Sequence, residues 1–314
     1  MKIGVVGTGL VGGACANACV LRAVGTELVL VDHYADLAMA QAEDIFHATP
    51  FARAMPVRAG SYDDLQGCGI VMVAAGVNQK PGESRLDLLK RNADIFRRII
   101  PEIIKAAPQA ILLIATNPVD IMAHLATEVA LENGIEARRV IGSGTILDTA
   151  RFRALLAQHL GISSHSIHAY VLGEHGDSEL LQWSGVTVGT VSLPVFAADM
   201  RVALTQTVKD EIDRGVRQAA ARIIRGKGAT YFGIGAGMAR IAKGIIENEQ
   251  AVITCTQLHP DIEGVKNVAL SLPVIINAQG VSHVIHPPLT EGERQALAQS
   301  AAILRQAADA IGCR

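Results

Sequence analysis

The sequence predicts an α/β protein in which a doubly wound parallel sheet is followed by a mixed α+β half. Two observations carry this. Short β-branched apolar runs alternate with helical patterns through residue 141, as crossover connections between parallel strands require. Several of those runs are apolar at consecutive positions, as expected of strands covered on both faces. The 314 residues exceed the size of one ordinary domain, about 150 residues, and the alternation weakens after Ile141. Domains are therefore expected at 1–142 and 143–314.

In order, the strands are expected at Ile3–Val6, Glu27–Val31, Pro56–Ala59, Ile70–Ala74, Ala110–Ala115 and Arg139–Ile141. Helical patterns separate them at Leu10–Val24, Ala35–Ala48, Leu86–Ala106 and Ile121–Glu132. In the second half a helix is expected at Leu147–His159, then strand-like runs at His165–Leu172 and Thr187–Leu193. Long helices follow at Met200–Ile224 and Ala229–Glu247. A hairpin or meander is expected from Ala251–Gln257 and Val268–Ile276, and a last helix at Thr290–Ile311. No internal repeat, low-complexity tract or long linker interrupts the chain.

Composition excludes several classes. Hydrophobic residues make up 50%, charged residues 18%, and 28 Lys+Arg against 30 Asp+Glu leave a formal charge of −2. That balance argues against disorder and against a broad electrostatic footprint for nucleic acid or anionic membrane. The five cysteines (Cys15, Cys19, Cys68, Cys255, Cys313) lack CxxC spacing, so no disulfide framework or zinc site is indicated and a reducing cytoplasm is the expected home. The uncharged run Ile3–Leu21 imitates a signal segment, but Gly4, Gly7, Gly9, Gly12 and Gly13 would each cost a helix about 1 kcal/mol. Asn267–Thr290 is uncharged but broken by Pro273, Pro287 and Pro288; no membrane span is expected.

Gly7-Thr8-Gly9-Leu10-Val11-Gly12 follows the first strand and opens a helix, and Asp32 ends the next strand. The first glycine permits a tight turn, the second admits a pyrophosphate, and the third lets helix and strand pack closely. The helix N-terminus offers unpaired N–H groups to phosphate. Asp32 suits the ribose hydroxyls of NAD and would repel the 2′-phosphate of NADP. The first half thus reads as a Rossmann-type NAD-binding unit.

Four further segments hold polar groups in apolar surroundings: Asn78–Arg85, Thr116–Asp120, Leu147–Arg151 and Gly173–Ser178. Singly, each has a bland explanation as a solvated loop, a local helix pair or a satisfied histidine. Together, in this order and spacing, they make the whole chain resemble the L-lactate and malate dehydrogenase family, with the bacterial lactate branch closest in pattern.

The resemblance implies reversible hydride transfer between NADH and a 2-keto acid, with NAD as cofactor. It assigns His175 as acid/base, Asp148 as the carboxylate fixing its tautomer, and Arg151 as the bidentate clamp on the substrate carboxylate. Arg85 would polarise the substrate carbonyl from a mobile lid, Asn117 would donate to substrate and cofactor ahead of a cis Pro118 bond, and Thr230 would line the pocket. Gly7, Gly9, Leu10, Val11, Gly12 and Asp32 would hold NAD. Gln79, where the family places Arg for the second carboxylate of oxaloacetate, favours pyruvate and L-lactate.

Arg153 and His168 resemble the pair that binds fructose 1,6-bisphosphate across a subunit interface in regulated members, and the family implies a homotetramer. Three other readings stay open, of which a dehydrogenase for another 2-hydroxy acid would differ mainly in pocket size. Malate dehydrogenase is separated by Gln79, and a catalytically silent NAD-binding protein by the presence of His175, Asp148, Arg85 and Arg151.

Overall fold

The computed structural model describes residues 1–77 and 82–314. Its first part alternates β1 (Lys2–Val6), α1 (Leu10–Leu21), β2 (Glu27–Val31), α2 (Ala35–Ala48), β3 (Val57–Ala59), β4 (Cys68–Val73), α3 (Arg85–Ala106), β5 (Ile111–Ile114), α4 (Val119–Glu132) and β6 (Val140–Gly142). These six strands are parallel in the spatial order β6-β5-β4-β1-β2-β3. The chain thus reverses direction across the sheet between β1 and β4, and such a switch point opens a crevice at the carboxyl ends of the strands.

Period-two alternation divides the strand residues between two cores. From β1, Val6 enters one core with Phe96 and Ile100 of α3, while Ile3 and Val5 enter the other with Cys15 and Cys19 of α1. From β4, Val71 and Val73 take the first side, Ile70 and Met72 the second. Burial on both faces is why these strands read as continuous apolar runs.

The second part begins with α5 (Ile146–Leu160), β7 (Ile167–His168), β8 (Val171–Leu172), β9 (Leu180–Leu181), β10 (Thr187–Val188) and β11 (Val191–Ser192). Four helices follow: α6 (Leu193–Asp199), α7 (Gln206–Arg217), α8 (Ala219–Lys227) and α9 (Phe232–Ile246). The chain ends with β12 (Ala251–Ile262), β13 (Val265–Asn277), β14 (Gly280–Val284) and α10 (Glu291–Asp309). A third core gathers Phe152 and Leu156 of α5 with Ile212 and Val216 of α7, and Trp183 meets Phe152 edge-on at 4.7 Å between ring centroids.

Several features depart from the sequence reading. The strand-like run expected at His165–Leu172 is split into β7 and β8, and the one expected at Thr187–Leu193 is the antiparallel pair β10 and β11, with Leu193 opening the unexpected helix α6. The expected helix Met200–Ile224 is two helices, and residues 200–205 precede them outside any helix. Arg201 stands at φ 55°, and Thr205 caps α7 by accepting the Val208 N–H at 3.3 Å, so the start lies six residues later. The meander gains a third strand, β14, and all three extend the parallel sheet through an antiparallel pairing of Thr256 with Gly142. Among the described residues, nine strands therefore form one sheet.

Among the described residues no helix is long and apolar enough to cross a membrane. All five cysteines are free and buried.

Candidate active site

Asp148 and Arg151 lie one turn apart on α5, and the loop between β8 and β9 carries His175 to them. His175 Nδ1 stands 2.5 Å from Asp148 Oδ2, and Arg151 Nη1 donates to Asp148 Oδ1 at 2.7 Å. One buried carboxylate thus orients an imidazole and a guanidinium. The remaining guanidinium donors of Arg151 meet no protein acceptor among the described residues, which leaves its fork open to a ligand carboxylate.

Several bonds hold the histidine loop. The His175 N–H donates to Asp120 Oδ2 at 2.7 Å, and Thr256 Oγ1 donates to Asp120 Oδ1 at 2.5 Å. Gly173 exchanges two backbone hydrogen bonds of 2.9 Å with Ser271 of β13. Glu174 Oε2 accepts from the Ser178 N–H and hydroxyl, and Ser300 of α10 receives the Glu174 N–H at 2.9 Å. The loop is tied to α4, β13 and α10, and through Asp120 to β12, so the imidazole sits on a rigid mount.

Electrostatics favour an ionised pair. Burial opposes charge on His175, but the Asp148 carboxylate, by charge and by hydrogen bond, outweighs it and pushes the imidazole up to about 9. Asp148 stays below the ordinary carboxylate range in spite of its burial, because His175 and Arg151 flank it. Burial pushes Asp120 up to about 6, against the bonds from Thr256 and His175. Glu179 is also shifted upward, first by burial and next by the charge of Asp148. Its buried Oε1 has no hydrogen-bond partner among the described residues.

At the nucleotide end, a Cβ on Gly7, which stands at φ 88°, would lie 2.3 Å from the Ala75 nitrogen, and one on Gly12 would lie 1.9 Å from the Gly7 carbonyl oxygen. The protein's own packing demands both glycines. Gly9 differs: a Cβ there would meet nothing within 4 Å. As N-cap of α1 it offers no side chain to the first N–H groups, so open space and unpaired donors coincide where a pyrophosphate approaches. Leu10 is exposed and Val11 half-buried beside it. Asp32 Oδ2 accepts from the Thr8 N–H at 2.6 Å, and Oδ1 from the Tyr34 N–H at 3.0 Å. The carboxylate is thereby fixed at the end of β2, next to the glycine turn. These residues fit a dinucleotide.

Residues 1–142 match lactate/malate dehydrogenase, NAD binding domain, and residues 145–311 match lactate/malate dehydrogenase, alpha/beta C-terminal domain. The chain belongs to the lactate/malate dehydrogenase family. As a lactate/malate dehydrogenase family member it is an NAD-dependent oxidoreductase. It is 57% identical to an L-lactate dehydrogenase of Thermus aquaticus over 99% of this chain and 100% of that one. It is 53% identical to one of Allorhizobium ampelinum over 100% of both chains. Among solved structures, a lactate dehydrogenase from a Medee basin deep-sea metagenome library matches with TM-score 0.94 and 40% identity over 99% of this chain and 98% of that one. The minor L-lactate dehydrogenase of Enterococcus mundtii, in a ligands-bound form, matches with TM-score 0.94 and 37% identity over 100% and 99%.

The structure places the other anticipated residues as follows. Arg85 opens α3 and extends across to the histidine loop, its Nη1 3.7 Å from Asp177 Oδ2, with both side chains 90% exposed. It therefore stands at the rim and not beside His175. Asn117 is exposed between β5 and α4, and its bond to Pro118 is cis. Thr230 is half-buried in the loop from α8 to α9. Gln79 lies outside the described residues.

Arg153 donates from Nε to the Ala169 carbonyl at 2.8 Å and stacks over Tyr170, while His168 is exposed on β7. Arg153 also lines a cavity of about 570 Å³ together with Arg22, His165 and Arg240.

Sequence reasoning placed Asp120 in a polar segment without giving it a role, and it missed Glu179. Asp120 stands in the first turn of α4 between the apolar Val119 and Ile121, which is a visible signal; its partners, Thr256 and the His175 N–H, are not visible from sequence. Glu179 carried no signal beyond its closeness to His175.

Proposed function

We propose that the chain is an L-lactate dehydrogenase, interconverting pyruvate and L-lactate, with residues 1–142 holding the cofactor and 143–314 supplying most of the substrate site. The carrying observation is the Asp148 carboxylate shared between His175 and Arg151. When bound, NADH supplies the hydride to the substrate carbonyl carbon. Arg151 binds the substrate carboxylate through its open fork, and orients the carbonyl towards His175. The His175 imidazolium gives the proton on Nε2 to the carbonyl oxygen as that oxygen becomes negative, and takes it back in the reverse direction. Asp148 stabilises the imidazolium and fixes Nδ1 as the donor to itself.

Arg85 acts with the lid, swinging from Asp177 to the carbonyl oxygen, where its charge offsets the developing anion and its closure excludes water. Asn117 and Thr230 complete the substrate pocket. Gly7, Gly9, Leu10, Val11, Gly12, Asp32 and Asn117 complete the NAD site. Gln79 selects pyruvate, because a buried second carboxylate facing it would have no cationic partner. In this reading the protein works in the cytoplasm as a homotetramer. Fructose 1,6-bisphosphate binds at Arg153 and His168 from adjoining subunits and favours the active arrangement; the cavity that Arg153 lines with Arg22, His165 and Arg240, though not His168, supports the Arg153 half of that site.

One assay tests these assignments: NADH oxidation with pyruvate, oxaloacetate and a bulkier 2-keto acid, with and without fructose 1,6-bisphosphate. Pyruvate should give the highest kcat/KM, and the bisphosphate should raise it at subsaturating substrate. Gln79→Arg should reverse the ranking, moving the oxaloacetate-to-pyruvate ratio at least about tenfold, the worth of one charge-assisted hydrogen bond. A wild type that prefers oxaloacetate removes the lactate assignment, and indifference to the bisphosphate removes the effector site.

A further inference from the structure

His124 and Glu128 share one face of α4, four residues apart, about 6 Å and 12 Å along the helix from Asp120 at its near end. The chain terminus folds back over them. Arg305 holds the Cys313 carbonyl at 2.7 Å, and the Arg314 N–H donates to Glu128 Oε1 at 2.6 Å. As a result an imidazole nitrogen, a carboxylate oxygen and a thiol sulfur all lie within 4.8 Å of one another. His124 is 1% exposed and Cys313 6%. His124 Nε2, fully buried, has no hydrogen-bond partner among the described residues, although Glu128 Oε1 lies 3.5 Å away.

We propose that His124, Glu128 and Cys313 form a site for one divalent cation of the zinc type, which ties the chain terminus to α4. The pointer is the buried Nε2 of His124, which makes no hydrogen bond of normal geometry among the described residues and lies 3.5 Å from Glu128 Oε1. Tetrahedral coordination with bonds of about 2.0–2.3 Å sets ligand atoms about 3.3–3.6 Å apart. The His124–Glu128 separation already matches this, and side-chain rotation brings the sulfur in. A thiolate with an imidazole selects zinc over magnesium or calcium, which prefer all-oxygen shells. Thiolate and carboxylate together balance the double charge, the thiol proton leaving to solvent on binding. Glu128 keeps 17% of its side chain exposed, which gives the ion an entry path, and water takes the fourth position. The residues are far apart in sequence, so no local spacing rule reveals them.

The full chain, stripped with a chelator, should be titrated with Zn²⁺ against a chromophoric competitor and separately with Co²⁺. One Zn²⁺ should bind per chain and raise the melting temperature, and Co²⁺ should give a thiolate charge-transfer band. Cys313→Ser should abolish the band, and it and Glu128→Gln should each weaken Zn²⁺ binding at least about tenfold. Melting of the metal-free variants checks that they fold; if Cys313→Ser does not, the partly exposed Glu128→Gln carries the test. No stoichiometric binding by the wild type, or binding that both variants leave unchanged, overturns the site. Because every readout is independent of NADH turnover, this result stands apart from the dehydrogenase assignment.

Discussion

His175→Gln is expected to lower kcat/KM for pyruvate by about 10³-fold, within the range of 10² to 10⁴ that general acid–base catalysis contributes. Glutamine keeps polar volume in the loop but has no proton to give at the required acidity. The backbone bonds that mount the loop, from His175 N–H to Asp120 and from Gly173 to Ser271, do not involve the lost ring. Binding of NADH, measured by fluorescence, should therefore survive while turnover collapses. Turnover within threefold of wild type would remove His175 from the chemistry.

Arg151→Lys should lower kcat/KM for pyruvate by about 10²-fold. One charged hydrogen bond of the fork is worth about 1.5–3 kcal/mol, and a lysine keeps the charge while losing the second parallel donor. The loss should fall on KM as well as kcat, because Arg151 holds the carboxylate in both ground and transition states. Lysine can still reach Asp148, so the His175 environment persists. Steady-state kinetics across pyruvate concentration separate the two terms, and an unchanged KM would contradict the clamp.

Much of the fold is legible in the sequence. The α/β alternation and the glycine motif depend on local periodicity and on backbone conformations that few residues allow, and both are written in consecutive positions. The pairing of Asp148 with Arg151 was equally legible, since a spacing of three places them on one helix face. What local pattern does not contain is convergence between distant segments. Asp120 meets His175 only because α4 packs beside the β8–β9 loop, and Thr256 reaches Asp120 only because β12 joins the sheet at Gly142. The uninterrupted helix expected at Met200–Ile224 failed for a related reason: its apolar periodicity is compatible with a helix, but a cap at Thr205 and the left-handed Arg201 redirect the chain. The resemblance assigns Arg85 to the carbonyl, and the structure places it at the rim against Asp177.

The shared Asp148 carboxylate also sets a pH dependence. A histidine raised from about 6.5 to about 9 is protonated across neutrality, so its favourable pairing with Asp148 is fully present below pH 6.5. That contribution is lost as pH rises through 9. Pyruvate reduction needs the imidazolium and should hold to that limit, while L-lactate oxidation needs the neutral ring and should rise towards it.

The most direct measurement is the pH profile of kcat/KM for pyruvate in wild type and Asp148→Asn. Wild type should keep its activity until the descending limb near 9. Loss of the carboxylate should move that limb down by at least about one unit, because burial then acts on the imidazole without its counter-charge. An identical limb in both proteins would contradict the claim that one carboxylate governs this site.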